Sequence, residues 1–497
     1  MSEYIEQRLL VGNCLDTLKR LSDDSIDSIV TDPPYGINFM GKAWDNASIM
    51  AKAVNGLDHK KTTKRSASMH AGNYDFSLTG NQAFQEWTLA WAKEVYRVLK
   101  PGGHLLCFSG SRTYHRMASG IEDAGFEIRD SIHWTYGSGF PKSLDISKAI
   151  DKAAKAERKV VGTNPNVVRA SKVEGGSDFG GFTKADATIT TPATEAAKQW
   201  QGWGTALKPS HEPIVLARKP LIGTVAENVL QYKTGGINID ATRIGTDDTL
   251  NGGAYAEQGT ERDDGWGMQR GGAGDYKQPT GRFPANTLLT HNHDCQDTCT
   301  PNCPVATLNQ QSGLVKGGVW NQTQGARPFN NDGKETNYTT SRSDSSIGGA
   351  ARFFHNSQWT PADDITPFIY QAKAGKKERN AGLDGLSKHN LDIGDERPSG
   401  GSWERRTGKK PEPRQNFHPT VKPIELMRYL IKLITPPKGT VLDPFLGSGT
   451  TAVAAILDGF EWKGCEMTED YLPIIKGRVA WAKKEVKEKA KQEQLEL

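Results

Sequence analysis

Two short clusters in this 497-residue chain carry residue types that could do chemistry. The first is Asp32-Pro33-Pro34-Tyr35. Within four positions it supplies a carboxylate, two ring-locked peptide units and a flat phenol. Proline fixes its own φ and lacks an amide donor, so the Pro33 carbonyl is held in a set direction near the Asp32 carboxylate. Two neighbouring acceptors suit an NH2 group on an aromatic ring. The lone pair of such a nitrogen is delocalised into the ring, which makes it a poor nucleophile. Accepting both of its N–H bonds localises the lone pair, and Tyr35 offers a face on which the ring can stack. The plainer alternative is a strand-ending turn, in which Asp caps and Pro-Pro breaks the ladder.

The second cluster is Asp443-Pro444-Phe445-Leu446-Gly447-Ser448-Gly449-Thr450-Thr451. Glycines here let the backbone approach a ligand closely. Nucleotide-like molecules bind at the carboxyl edge of doubly wound sheets, beside a helix N-terminus. The run is not Gly-x-Gly-x-x-Gly and lacks the lysine of a phosphate-binding loop. About 20 residues on, Glu466 ends the next expected strand, where an acidic residue is placed to bind ribose hydroxyls.

A third cluster has metal-ligand spacing. Cys295, Cys299 and Cys303, with either His291 or His293, could supply four tetrahedral ligands to a structural zinc. A zinc staple would suit a segment with little apolar core. The alternative is reduced thiols and polar histidines in a turn. Cys14, Cys107 and Cys465 sit in apolar surroundings and read as small buried hydrophobes.

The elements around these clusters alternate. Cys14, Leu15, Leu18 and Leu21 have helical spacing, and Ile26, Ile29 and Val30 then run as a strand into the first cluster. A helix follows with Phe84, Trp87, Trp91, Val95 and Val98 on one face, ended by Pro101-Gly102-Gly103. His104–Phe108 reads as a buried strand, and a further helix and strand lie between Tyr114 and Trp134. After an initial helix, residues 144–200 read as an irregular insertion, and 202–220 as a turn and one more strand. From 419 onward come a helix (Met427, Leu430, Ile431, Ile434), the strand Thr440–Asp443, the helix Thr450–Leu457 and the strand Trp462–Glu466. This order predicts an α/β fold with a largely parallel sheet.

Between the two halves, residues 223–415 are rich in Gly, Asn and Thr without a long periodic helix. They are too long for a connecting loop. The expected organisation is therefore 1–222, an inserted domain at 223–415, 416–481, and a charged helical tail at 482–497. Net charge is only +4, so any nucleic-acid contact rests on local basic surface rather than on total charge. The runs holding Lys60, Lys61, Lys64 and Arg65, and Lys373 to Arg379, are candidates for phosphate contacts. Six cysteines are too sparse for a disulfide scaffold. No apolar run approaches the roughly 18 residues of a membrane span, and the N-terminus lacks a signal pattern. A cytoplasmic protein is expected, with monomer and homodimer both open.

Together the two motifs resemble the amino-methyltransferases of DNA, in the permuted β class, where the Asp-Pro-Pro-Tyr half comes first and the cofactor half last. Residues 36–45, 134–143 and 208–213 resemble the phage and prophage branch, and His418-Pro419-Thr420-Val421-Lys422-Pro423 resembles the segment that closes over the methionine end of the cofactor. The resemblance implies a Rossmann-like S-adenosylmethionine-dependent methyltransferase fold assembled from both ends of the chain, with a target-recognition domain inserted. It implies direct transfer to a base flipped out of double-stranded DNA, without metal or covalent enzyme intermediate. Asp32, Pro33, Pro34 and Tyr35 would be catalytic. Asn13, Asp32, His418, Thr420, Lys422, Asp443, Phe445, Gly447, Ser448, Gly449, Thr450 and Glu466 would hold S-adenosylmethionine. One departure is Gly12-Asn13, where the family usually carries Gly-Asp; Asn can still hydrogen-bond, so cofactor binding is expected to survive, if weakened. Asp at the head of the tetrapeptide goes mostly with adenine N6 in this family and Ser with cytosine N4, which favours adenine. A silent DNA binder, or a methyltransferase for RNA or a protein amide, are the competing readings.

Overall fold

The computed structural model describes residues 2–36, 78–136, 143–163, 188–207, 209–245, 280–290, 299, 303–313, 315–316, 319–324, 338–343, 347–348, 355–357, 374, 376–388 and 415–496. Two compact units emerge. One comprises Met1–Ser131, Ser138–Gly236 and Lys373–Leu497, the other Ile132–Gly137 and Ile237–Ala372.

The first unit contains, in chain order, β1 (Leu9–Val11), β2 (Ile26–Thr31), α1 (Leu78–Val98), β3 (Leu99–Phe108), α2 (Tyr114–Asp123), the start of β4 (Glu127–Thr135), β5 (His211–Arg218), α3 (Val225–Tyr232), α4 (Ile424–Ile434), β6 (Thr440–Asp443), α5 (Thr450–Leu457), β7 (Glu461–Glu466) and α6 (Leu472–Glu496). Its strands lie in the order β1-β7-β6-β2-β3-β5. All neighbours are parallel except β5, which runs against β3. This is the Rossmann-like α/β sheet expected, assembled from the two ends of the chain.

β2 is buried along its whole length, as befits a parallel strand covered on both faces. The apolar face of α1 packs Phe84, Trp87, Trp91, Val95 and Val98 with Leu18, Ile26, Ile29, Leu105 and Met117 in the main core. α4, α5 and α6 pack successively against one another. Because β1, β7, β6 and β2 are parallel, their carboxyl ends share one sheet edge. Both motifs therefore meet there.

Pro101-Gly102-Gly103 does not separate α1 from the next strand. The helix ends at Val98 and β3 begins at Leu99, with the glycines inside the strand. Gly102 has φ +76°, and a side chain there would run into Asn228 of α3. The buried Asn228 amide donates to the Pro101 carbonyl at 2.9 Å. A breaker signal has here become a close approach of a helix to a strand.

The described residues 143–163 and 188–207, within the expected insertion, hold regular elements. The helix Ile146–Ala153 and the antiparallel pair Val160–Thr163 and Thr188–Thr190 are tied together by the buried Asp151. Its carboxylate accepts from the Arg158 guanidinium at 2.6 Å and from the amides of Ala193 and Thr194.

In the second unit, the end of β4 pairs in parallel with Thr287–Thr290, which pairs in parallel with His355–Ser357. Two antiparallel pairs follow, Val319–Gln324 with Tyr338–Ser343 and Val315–Lys316 with Ile347–Gly348. The helix Pro304–Ser312 buries Val305 beside Cys303. No described helix is long and apolar enough to cross a membrane.

Candidate active site

β2 delivers Asp32 to the carboxyl edge, and the two prolines end the ladder there. Both carboxylate oxygens of Asp32 are engaged. The Tyr35 hydroxyl donates to Oδ1 at 2.8 Å and the Lys422 ammonium to Oδ2 at 2.7 Å. Glu212 completes the cluster: its Oε2 lies 3.3 Å from the Tyr35 hydroxyl and 3.2 Å from Lys422 Nζ. Lys422 is only 9% exposed and also sits 4.7 Å from the Phe108 ring centroid.

Two carboxylates and one ammonium therefore share a largely dry corner. Burial pushes the Asp32 carboxyl upward, the Lys422 charge pulls it down, and Glu212 adds to the rise; the net shift is upward. For Lys422, burial works against the charge, but Asp32 and Glu212 outweigh it and raise the ammonium above its usual range. A carboxylate held in this way is a better proton acceptor than one in water.

The neighbouring turn is built differently. Asp443, 3% exposed, accepts from the Thr31 hydroxyl at 2.6 Å, the Phe445 amide at 3.0 Å and the Thr451 hydroxyl. The Thr31 bond ties the end of β2 directly to the turn after β6. Burial raises the Asp443 carboxyl to about 6 despite these donors. Glu466 accepts the Gly447 amide on one oxygen at 2.8 Å and the Thr468 amide on the other at 2.7 Å.

Gly447 and Gly449 have φ +55° and +80°, and a Cβ on Gly447 would stand 2.8 Å from His418 Nε2. His418 Nδ1 lies 2.6 Å from the Thr420 carbonyl. A carbonyl can only accept, so the proton is on Nδ1 and Nε2 carries the lone pair facing Gly447. Burial lowers the imidazole to about 3, so it stays neutral.

Ser448 and Thr450 are held from behind. The fully buried Arg478 donates to the Ser448 carbonyl at 2.9 Å, its hydroxyl at 3.0 Å and the Thr450 hydroxyl at 2.9 Å. Its Nε and Nη2 have no partner among the described residues. Burial lowers this guanidinium to about 10.

A family model described as DNA methylase (N6_N4_Mtase) matches residues 26–477. This chain belongs to the N6/N4 DNA methylase family. Type II methyltransferase M.HindIII of Haemophilus influenzae is 25% identical over 229 residues, 44% of this chain and 61% of that protein. Type II methyltransferase M.HpaI of Haemophilus parainfluenzae is 30% identical over 148 residues, 30% of this chain and 37% of that one. The chain thus spans less than two thirds of either relative. The crystal structure of M1.HpyAVI aligns over 95% of this chain and 98% of its own at 12% identity, with a TM-score of 0.33.

Within this member of the family, Asp32, Tyr35 and Lys422 meet in one cluster, while Asp443, Gly447, Ser448, Gly449, Thr450, Glu466 and His418 line the neighbouring turn. Lys422, expected with the cofactor set, lies on the Asp32 carboxylate. The Asn13 side chain caps the helix Cys14–Thr17, accepting the Leu15 amide at 3.0 Å. The Phe445 ring packs 5.5 Å from both Trp87 and Trp91. Arg379, in one of the runs expected to meet phosphates, instead donates to the His418 carbonyl at 2.6 Å. The basic run at 60–65 lies outside the described residues, as do His291, His293 and Cys295 of the expected zinc set. Cys299 is exposed and Cys303 buried, and no group of three potential ligands gathers among the described residues.

Sequence reasoning assigned no role to Glu212 or Arg478. Glu212 stands before Pro213 at the head of a strand, where a polar residue is unremarkable. Arg478 had a faint signal: it interrupts the apolar stripe of Ile474, Ile475, Val479 and Ala482, and a buried arginine needs a local reason.

Proposed function

We propose that this chain transfers a methyl group from S-adenosylmethionine to an exocyclic amino group of a base in double-stranded DNA, with adenine N6 as acceptor. The observation that carries the reading is the Thr31–Asp443 hydrogen bond. It places the Asp32 acceptor and the glycine turn side by side on one sheet edge, so an amine and a nucleoside-like cofactor would meet there.

The residues present fit the cofactor. Gly447 and Gly449 leave the backbone bare ahead of α5. Each Glu466 oxygen accepts one amide and keeps lone-pair capacity for a ribose hydroxyl. S-adenosylmethionine, when bound, supplies an electrophilic methyl on a sulfonium. The chain contributes position and electrostatics. Asp32 and the Pro33 carbonyl accept the two N–H bonds of the amine, Tyr35 stacks the base, and the Asp32 carboxylate is the first acceptor for the proton that the new N–C bond displaces. The base must leave the duplex to reach this corner. Asp at position 32 supports adenine over cytosine, following the family resemblance. Target recognition belongs in this proposal to the inserted residues 223–415, and a structural zinc to the Cys295–Cys303 cluster.

The test is single-molecule sequencing of genomic DNA from a methylation-free host expressing the chain, with Asp32→Ala as control. Methylated adenine at one short sequence, absent from the control, is the expected result. Methylated cytosine would keep the mechanism and move the acceptor to N4. Unmodified DNA from a well-expressed, cofactor-binding chain would overturn the reading.

A further inference from the structure

Each oxygen of Asp32 keeps a second lone pair beside the donor it holds, but an oxygen that faces a cation is a weaker acceptor for an incoming amine. Both are engaged, Oδ1 by the Tyr35 hydroxyl and Oδ2 by the Lys422 ammonium. A cation on Oδ2 is a strong competitor, because charge-assisted hydrogen bonds are roughly twice as strong as neutral ones. An aromatic amine is neutral and would not displace it unaided.

The same two donors have one second acceptor in common. Glu212 Oε2 lies within 3.3 Å of the Tyr35 hydroxyl and 3.2 Å of Lys422 Nζ. The contact from Nζ to Asp32 is the shorter, at 2.7 Å. A small shift of Nζ toward Glu212 exchanges which carboxylate holds the shorter contact, a larger one takes it beyond hydrogen-bond reach of Asp32, and it remains opposite a carboxylate throughout. β5 holds the recipient in place. The Pro213 carbonyl next to Glu212 accepts the Ser109 amide at 2.9 Å, which locks the head of β5 to the end of β3.

We propose that Glu212 is a positioning residue that takes Lys422 from Asp32 as the substrate amine arrives, so that Asp32 Oδ2 is released without leaving a buried ammonium unpaired. The proposal rests on the methyltransferase reading above. It assigns Lys422 to the acceptor side of the site rather than to the cofactor. No proton need change owner in the exchange: the ammonium stays charged, one hydrogen bond breaks and another shortens. An uncompensated buried charge is strongly destabilising, and that cost is what the second carboxylate removes.

The exchange predicts mutual suppression. In Glu212→Gln the recipient loses its charge, Lys422 settles on Asp32, and kcat falls at least ten-fold. In Lys422→Met two carboxylates face each other with no cation between them; Asp32 is driven to its protonated form, and kcat again falls at least ten-fold. The double variant retains Asp32 with a neutral neighbour and no competitor, and its kcat exceeds that of either single variant. S-adenosylmethionine affinity, measured by calorimetry on the full chain, stays within three-fold in all of them.

Single losses that multiply in the double variant overturn the proposal, as does loss of cofactor affinity in Lys422→Met. If the unaltered chain transfers no methyl group to DNA, the methyltransferase reading fails and this inference with it. If it does transfer and the losses multiply, only the inference fails. Should a variant not fold, a structure of the unaltered chain with DNA and a non-reactive cofactor analogue decides. Lys422 Nζ on Glu212 and off Asp32 is expected; Lys422 still on Asp32 Oδ2 overturns the exchange.

Discussion

The two neighbouring corners of the sheet edge solve the burial of charge in opposite ways. At the proposed catalytic corner, Asp32 and Glu212 share Tyr35 and Lys422 side chain to side chain, with Glu212 177 positions from Tyr35 and Lys422 390 positions from Asp32. At the proposed cofactor corner, Asp443 and Glu466 accept neutral donors, most of them nearer in sequence: the Phe445 amide 2 positions away, the Thr468 amide 2, the Thr451 hydroxyl 8 and the Gly447 amide 19, with the Thr31 hydroxyl alone 412 away. The first corner is held by partners that can exchange; in the second, Glu466 is held by backbone amides, and Asp443 by the Phe445 amide with the Thr31 and Thr451 hydroxyls. A site that must release a group for each incoming base suits the first arrangement, and one that must keep a single cradle suits the second.

Removing the carboxylate from each corner should separate them most sharply. Asp32→Ala leaves Lys422 opposite Glu212, so stability should change by no more than about 1 kcal/mol while methyl transfer falls by about 10³-fold. Asp443→Ala strands three donors and should cost about 3 kcal/mol, read by urea denaturation. A large stability loss in Asp32→Ala would erase the contrast.

Gly447→Ala tests the rigid cradle alone. It combines a left-handed φ with a methyl group 2.8 Å from His418 Nε2. S-adenosylmethionine affinity should fall about ten-fold, for a strain of roughly 1–2 kcal/mol. Retained affinity in calorimetry would show that the turn can yield.

pH separates two members of the cofactor corner by sign. His418 is lowered from 6.5 to about 3, so its contribution to stability is present above pH 6.5 and lost as pH falls through 3. Asp443 is raised from 3.8 to about 6. Its contribution is fully present below pH 3.8 and lost as pH rises through 6. His418→Gln should therefore flatten the acid limb of the stability profile, and Asp443→Asn the slope between pH 4 and 6. Each effect should be on the order of 3–5 kcal/mol across the full window of the shift. Profiles parallel to the unaltered chain would remove both groups from the account.

The smallest effect is expected in the second unit. Elemental analysis should return about one zinc per chain. Cys299→Ser should lower that occupancy while leaving cofactor affinity within two-fold. A zinc-free chain would leave Cys303 as a buried core residue and nothing more.

Much of the sheet was readable before its geometry. The spacing of Ile26, Ile29 and Val30, and of Phe84, Trp87, Trp91, Val95 and Val98, reports elements whose period shows directly in the chain. Three features resisted. The glycines at 102 and 103 read as a stop but serve a close helix approach to β3. β1 is only three residues long and has no period to detect. Asn13, Phe445 and Arg379 carry residue types that suit a ligand, and the helix cap, two tryptophan rings and carbonyl they also engage leave no mark on the sequence.

By itself the amino-acid order determined the α/β alternation, the return of the sheet after residue 419 and the two clusters at strand ends. These are local patterns, set by side-chain period, proline and glycine. Only the tertiary structure decided which charges meet. β5 runs antiparallel to β3, and so brings the head of a strand, with Glu212, to the edge where the other strands end. Lys422, 390 positions from Asp32, arrives there because the second half of the chain completes the sheet begun by the first. Strand direction and chain return leave no periodic mark on the sequence, and partners in an ion cluster carry no sign of one another until folding places them within reach.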